Sequence, residues 1–416
     1  MLPTLAVLCS CQGRGAGNTP LSAGDTLKLK YARLLQLVKH DSCTVATIAD
    51  PWNKGKNLHT YILVPADQPL PRHLPQGTVV RTPLRRTVVC TTVHSSLVMA
   101  LGKRDCIKGV CDLPYVNDEW IIEQCRKGTI ADCGNGTSPT LEKIIDIDAD
   151  AILISPFQNS GGYGRLDEWG NPIIETADYM ETSALGRAEW MKFYGMLYGA
   201  EAEADSMFAA VEQNYMQLKR RAQEAPLGKT LLMNKLTSAV WYVPAGGSTI
   251  GSIIADAHAG YAFAGDKSSG SLALPFETVL EKSGQADVWL VRYAGQSQGT
   301  LAALLSENKG YAQFKAFSTG EVYGCDTNSC TFYEDTPFHP DLLLRDFIII
   351  THPEITDLGQ PVYFTKMKRQ QHEIPHLLHR HHAHHSRALC PQHHLGCGAN
   401  TRRRYHPHPA WRGGGA

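Results

Sequence analysis

Two stretches set the fold. Residues 138–155 read SPTLEKIIDIDADAILIS, and residues 273–291 read ALPFETVLEKSGQADVWLV. Each places one glutamate, Glu142 or Glu277, at the head of one or two apolar-periodic turns. Each then runs through an Ala-Asp pair, Ala149-Asp150 or Ala286-Asp287, into a short apolar run. Helical spacing followed by a brief β-prone segment predicts a helix-to-strand unit, written twice.

Around the first copy the chain alternates. RTVVCTTV (86–93) is short, β-branched and unbroken, as a buried strand requires. HSSLVMALGK reads as a helix stopped at Gly102, CIKGV as a strand, EWIIEQC as a helix and NPIIETA as a closing strand. Around the second copy the pattern restarts, with KTLLMNKL as strand, TIGSIIADAHAG as helix and PDLLLRDFIIITHPEI as a closing helix. Such alternation predicts parallel sheets covered by helices. Between the halves, Ser183 to about Glu224 is one amphipathic segment rich in helix formers, with Gly195 and Gly199 as candidate breaks. The expected architecture is α/β, two Rossmann-like lobes joined by one long helix. Its parts are a signal and linker at 1–23, an N-terminal lobe with an added strand pair at 24–182, a connecting helix at 183–225 and a C-terminal lobe at 226–366.

Composition narrows the function classes. The chain has 416 residues and is 43% hydrophobic, enough for two domains with cores. No apolar run reaches the roughly 18 residues of a membrane span. The formal charge is zero, but the residues from Lys368 onward carry about +7 and the body the opposite. An acidic body excludes nucleic acid as the expected partner. The last 50 residues hold 11 of the 18 histidines and have no periodicity. Imidazoles suit zinc, copper or nickel, so a free-metal-binding protein is one alternative. We read 367–416 instead as downstream coding sequence in a shifted frame, and expect disorder there.

Twelve cysteines are present. Cys106/Cys111 and Cys325/Cys330 each have four intervening residues, short enough for local disulfides in an exported protein, while most of the body cysteines read as ordinary buried thiols. At the N-terminus, Leu8-Cys9-Ser10-Cys11 followed by a Gly-rich stretch resembles a bacterial lipoprotein cleavage site with Cys11 as the lipidated residue, although a charged leading region is missing.

Six segments taken in order, CTTVHSSLVMALG, PTLEKIIDIDADAIL, ADYMETSALGRAEWMKFYGMLYG, AVWYVPAGGSTIGSIIADAHAGYAF, LPFETVLEKSGQADVWL and PFHPDLLLRDFIIITHPE, resemble the helical-backbone class of ABC-transporter substrate-binding proteins over roughly residues 80–355. The NSGGYG and DYMETS segments look like those of lipoprotein members from Gram-negative bacteria. The resemblance implies a non-enzymatic, monomeric, lipid-anchored periplasmic protein without a cofactor. It would capture an iron–siderophore complex, haem or cobalamin between its lobes and deliver it to a membrane permease with its ATPase. It further implies that Glu142 and Glu277 dock on basic residues of the permease. The competing reading for these acids is a pair of solvated carboxylates favoured by helix dipoles.

Clefts between domains are the usual small-molecule sites. The candidate ligand contacts are Thr92, His94, Asn159, Ser160, Tyr163 and Glu181 in the first lobe, and Trp241, Tyr242 and Ser248 in the second. Gly161 and Gly162 would admit close backbone approach beside Tyr163, and Trp241-Tyr242 would supply aromatic walls. His94 also suits metal or haem iron, but a lone histidine is more often structural. A secreted α/β hydrolase is the enzymatic alternative. Against it, Ser248 in GGSTIG lacks the G-x-S-x-G spacing, and no phosphate-binding glycine motif follows a strand. Glu181 and Glu189, eight residues apart, read as helix-surface acids rather than a catalytic pair.

Overall fold

The computed structural model describes residues 24–158, 162–295 and 299–369. Residues 1–23, Cys11 among them, Asn159, Ser160, Gly161, residues 296–298 and those beyond 369 lie outside these residues.

The N-terminal segment forms a larger structure than the expected strand pair. Strands β1 (Asp25–Leu27), β2 (Leu35–Lys39), β3 (Thr44–Ala49), β4 (Asn57–Pro65) and β5 (Thr78–Thr82) make one five-stranded sheet in that order. All pairings are antiparallel except β4 with β5.

The first lobe carries β6 (Thr87–Val89), helix α1 (Thr92–Ala100), β7 (Ile107–Val110), α2 (Glu119–Lys127) and β8 (Ala131–Asp132). A small hairpin of β9 (Gly134–Asn135) and β10 (Ser138–Pro139) leads to α3 (Leu141–Ile147), β11 (Ala151–Ile154) and β12 (Ile173–Glu175). Its sheet is parallel throughout, in the order β12-β11-β6-β7-β8. The strand expected over 86–93 stops at Val89, because Thr91 caps α1 by accepting a hydrogen bond from the His94 backbone N–H.

Three helices replace the single expected connector: α4 (Ala184–Glu189), α5 (Met191–Tyr198) and α6 (Glu201–Glu224). Gly199 ends α5 with φ +60°. Gly195 does not break the chain. It sits inside α5 against α6, where an added Cβ would meet Ala204 Cβ at 2.7 Å. At 24 residues α6 spans about 36 Å. It holds both lobes. Glu212 accepts from Tyr31 Oη at 2.6 Å, whereas Tyr215 donates to Asp256 at 2.8 Å and Arg221 pairs with Asp357 at 2.6 Å.

The second lobe contains β13 (Gly228–Met233), β14 (Leu236–Thr237), β15 (Val240–Pro244), α7 (Thr249–Asp256), β16 (Ala259–Tyr261) and β17 (Ser271–Leu274). Next come α8 (Phe276–Ser283), β18 (Val288–Tyr293), α9 (Leu301–Glu307), α10 (Lys315–Thr319) and β19 (Val322–Asp326). The lobe closes with α11 (Phe332–Asp335), α12 (Pro340–Thr351) and β20 (Thr365–Lys366). The main sheet runs β16-β13-β18-β19-β20 and is parallel but for β20, and β14-β15-β17 form a separate antiparallel sheet. Packing continues past the expected boundary at 366. Met367 is buried among Trp241, Trp289 and Phe314, and the Leu301 backbone N–H donates to Lys368 O at 3.2 Å.

One continuous apolar core runs from Leu35 and Val89 of the first lobe through Tyr194 and Phe208 of the connector to Leu343 and Phe347 of the second. The lobes are therefore joined by packed side chains as well as by chain.

Candidate functional site

In both central sheets the chain order reverses beside the first strand. In the first lobe β6 is flanked by β7 and β11, and in the second β13 is flanked by β16 and β18. Ligands of open parallel sheets bind at such switch points, beyond the carboxyl ends of the strands. These ends meet across the molecule. Asn117, after β7, donates from Nδ2 to Thr327 O at 3.1 Å and to Glu334 Oε1 at 3.4 Å, the latter two lying after β19. Thr92, Asn117, Ile121, Thr331 and Glu334 line a cavity of about 40 Å³ at this junction.

The second-lobe side is built on Asn234, which follows β13 in the left-handed region at φ 65°. Its Oδ1 accepts from Arg292 Nε at 3.1 Å and Nη2 at 3.0 Å, and its Nδ2 donates to Tyr242 O at 2.7 Å. The Arg292 guanidinium stacks 5.4 Å from the Phe332 ring centre and 5.6 Å from that of Tyr333. Two of its five donors face Asn234 and Nη1 lies 3.5 Å from Tyr333 Oη, which leaves two donors for an anionic group. Tyr333 is 38% exposed. In the first lobe Tyr115, 47% exposed, follows β7, and Phe157, 44% exposed, follows β11. A guanidinium held against two aromatic rings suits a large, flat or chelating anion.

The sequence candidates divide sharply. Thr92 lines the junction cavity. Tyr163 is half-buried and donates to Glu175 at 2.8 Å. Burial, and then the Glu175 carboxylate, push its phenol well above the ordinary value. Tyr242 is partly exposed. The other described candidates face inward and require correction. His94 is buried, with Nε2 2.9 Å from Asp178 Oδ1, and Arg187 Nε donates to the other oxygen at 3.0 Å. Burial alone would raise the Asp178 carboxyl, but His94 and Arg187 hold it below its usual range. Its burial leaves His94 no face toward a ligand, although Nδ1 has no hydrogen-bond partner among the described residues. Trp241 is fully buried, donating to Met233 O at 2.9 Å. It adjoins Tyr242 on one strand, so the two point to opposite faces and cannot wall one cleft. Ser248 is a helix cap, donating to Ala245 O at 2.6 Å and accepting from Gly251 N at 3.0 Å.

Glu181 is also structural. It precedes α4 and accepts from the backbone N–H groups of Arg33 and Leu34, both at 2.9 Å, and from Trp190 Nε1 at 3.0 Å. Burial raises its carboxyl despite these donors. Glu189, expected on a helix surface, is buried and accepts from Lys30, Tyr31 and Ala32 at 2.8, 2.7 and 2.9 Å. Together the two acids bind five consecutive amides, residues 30–34, and clamp the N-terminal sheet to the connector.

Glu142 and Glu277 are both exposed, each in the first turn of its helix, α3 or α8. Glu142 pairs with Arg165 at 2.9 Å. The helix N-terminus, then Arg165, lower its carboxyl. Glu277 has no ion-pair partner among the described residues.

A family model described as "Periplasmic binding protein" matches residues 108–328. The chain belongs to that family. An uncharacterized lipoprotein of Methanocaldococcus jannaschii is 26% identical over 372 residues, covering 84% of this chain and 88% of the relative. Among solved structures, a periplasmic heme binding protein from Pseudomonas aeruginosa superposes with TM-score 0.53 at 15% identity, covering 69% of this chain and all of that one. A possible iron-binding (periplasmic solute-binding) protein from Staphylococcus epidermidis gives 0.50 at 14% identity, with 65% and 99% covered. At these identities the structural matches establish the two-lobe α/β fold. The family of this periplasmic binding protein is legible in the six segments that resemble it, and its two lobes in the repeated unit, but sequence reasoning missed Arg292, Tyr333, Tyr115 and Phe157. Their only sequence signal is position, each falling just beyond or at the carboxyl end of a parallel strand.

A hollow of about 470 Å³ lies elsewhere, between the N-terminal sheet and α5–α6, lined by Lys28, Lys39, Asp41, Lys192, Glu201 and Asp205 among others. Size would favour it. It lies away from the carboxyl ends of both parallel sheets, where ligands of such sheets bind, so the strand-end junction is the better candidate.

Proposed function

We propose that the protein is the substrate-binding component of an ABC importer, held outside the cytoplasmic membrane by a lipid on Cys11. It captures an iron–siderophore complex or haem, with cobalamin as the third candidate, in the gap between its lobes. The observation that carries this reading is the meeting of two parallel-sheet carboxyl edges, one bearing Arg292 over aromatic rings, in a chain of the periplasmic binding protein family. The heme-binding title of one structural neighbour and the iron-binding title of another support the ligand class. The lipoprotein title of the archaeal relative supports the anchor. Ser248 is consumed as a helix cap, which favours binding over hydrolysis.

Glu142 and Glu277 stand at matching places on rigid helices and form a two-point negative key for basic residues of a permease. Complementary charge of this kind sets orientation and encounter rate. The packed connector resists wide opening, so lobe motion on binding is modest. Titration with haemin, cyanocobalamin and ferric siderophores, followed by tryptophan fluorescence, tests the reading. Saturable quenching by at least one is expected, and none by any of them defeats it. Scattering should show little compaction on binding. Cys11→Ser should abolish incorporation of labelled fatty acid.

A further inference from the structure

Cys325 is the buried penultimate residue of β19 and Cys330 stands just before α11, with their sulfurs 3.4 Å apart. The turn between them is already set. Asp326 Oδ1 accepts from the Gly295 and Asn328 backbone N–H groups at 2.9 and 3.1 Å, and Oδ2 accepts from Ser329 Oγ at 2.8 Å. Within the same turn Thr327 presents the carbonyl that receives Asn117 from the other lobe.

We propose that Cys325 and Cys330 are a redox-exchanging pair whose disulfide fixes the cleft-facing turn 326–329. A disulfide requires a sulfur separation of about 2.05 Å, so the two sulfurs stand in van der Waals contact, near the distance at which the bond forms. The two thiols are unequal. Cys325 is fully buried, whereas Cys330 is partly exposed. The neighbouring Cys325 thiol, with help from the Phe332 backbone N–H, holds the Cys330 thiol below its ordinary value. As the partly exposed sulfur, Cys330 is the one an incoming disulfide reaches, and the buried Cys325 is the resolving thiol. The Cys330 thiolate attacks one sulfur of an incoming small-molecule or protein disulfide and expels the first thiolate. Cys325 then displaces the second, forming the Cys325–Cys330 bond. Two electrons pass to the incoming disulfide, which leaves as two thiols carrying the two cysteine protons.

A second pair offers an internal reference. Cys90 and Cys111 extend the register of β6 and β7 beyond Val89 and Val110, with sulfurs 3.6 Å apart. Both are buried, so neither is reachable by a disulfide reagent in the folded protein. The inference does not rest on the identity of the ligand.

The test is to incubate the folded full chain with glutathione disulfide, then denature, alkylate, digest and analyse by mass spectrometry. The expected product is a linked 325–330 peptide two hydrogens lighter than its reduced form, with alkylation lost at both positions and retained at Cys90 and Cys111. In Cys330→Ser, Cys325 should remain alkylatable. Amide hydrogen exchange in 326–329 should slow on oxidation. Full alkylation of both cysteines after oxidant, or a glutathione adduct on Cys330 that persists unresolved, overturns the pairing. Unchanged exchange overturns the effect on the turn.

Discussion

The two lobes build the same unit and use it differently. In each, a helix headed by an exposed glutamate runs through an Ala-Asp pair into a central strand. The aspartate performs one task in both. Asp150 Oδ2 accepts from the Arg85 and Arg86 backbone N–H groups at 2.7 and 2.9 Å, tying β11 to the start of β6. Asp287 Oδ2 accepts from Thr230 N and Oγ1 at 2.9 and 2.7 Å, tying β18 to β13. The Ala-Asp repeat is thus a strand staple at the edge opposite the cleft. What differs is the surroundings. The first lobe carries an extra sheet clamped by Glu181 and Glu189, and its helix-heading Glu142 is paired with Arg165. The second lobe has an unpaired Glu277 and a staple strengthened by Lys315, 2.6 Å from Asp287 Oδ1. The repeat teaches that the common residues hold the sheets, while specialisation sits in what each lobe adds.

The largest expected effect breaks the added part of the first lobe. Glu181→Ala with Glu189→Ala leaves five buried or half-buried amides without their acceptors. A loss of at least about 3 kcal/mol is expected by denaturant unfolding, with the N-terminal sheet exposed first to protease. A loss below about 1 kcal/mol would show that the clamp is incidental.

Next come the staples. Asp150→Ala and Asp287→Ala should each cost about 1–3 kcal/mol, Asp287→Ala more because Lys315 also loses its partner. Equal costs would remove the asymmetry drawn between the lobes. Acid sharpens the same contrast. Burial would raise the Asp287 carboxyl, but Lys315 and Thr230 bring it down to about 2. A depressed carboxyl stabilises the fold fully above its unfolded value, about 3.9. That contribution disappears as pH falls from there through about 2. Asp287→Asn should flatten this part of the stability profile, and an unchanged slope would argue against the ion pair. The smallest stability effect belongs to Arg165→Ala, within about 1 kcal/mol because both partners are exposed. It should nevertheless alter transporter engagement by releasing Glu142, whereas Glu142→Ala with Glu277→Ala should reduce import without changing ligand affinity.

The repeated unit, the parallel lobes and the helical connector were legible because hydrophobic period is a local property. The second helix-to-strand copy matches α8 and β18 nearly residue for residue. The site was much less legible. Whether Glu181 faces ligand or backbone depends on amides 147 and 148 positions away in sequence, and the fate of His94 depends on Asp178, 84 positions away. One local rule was available: alternation along β15 puts Trp241 inward if Tyr242 faces out. Arg292 and Tyr333 became visible only once β13, β18 and α11 were brought together.

Measurement of ligand affinity in wild type, Arg292→Ala and the Glu142→Ala/Glu277→Ala double variant tests the central claim most directly. For whichever of haemin, ferric siderophore or cyanocobalamin binds, Arg292→Ala should weaken affinity by about tenfold or more, equivalent to about 1.4 kcal/mol, and the double variant should bind like wild type. Unaltered affinity in Arg292→Ala, or loss of binding in the double variant, would contradict a ligand held between the strand ends of the two lobes.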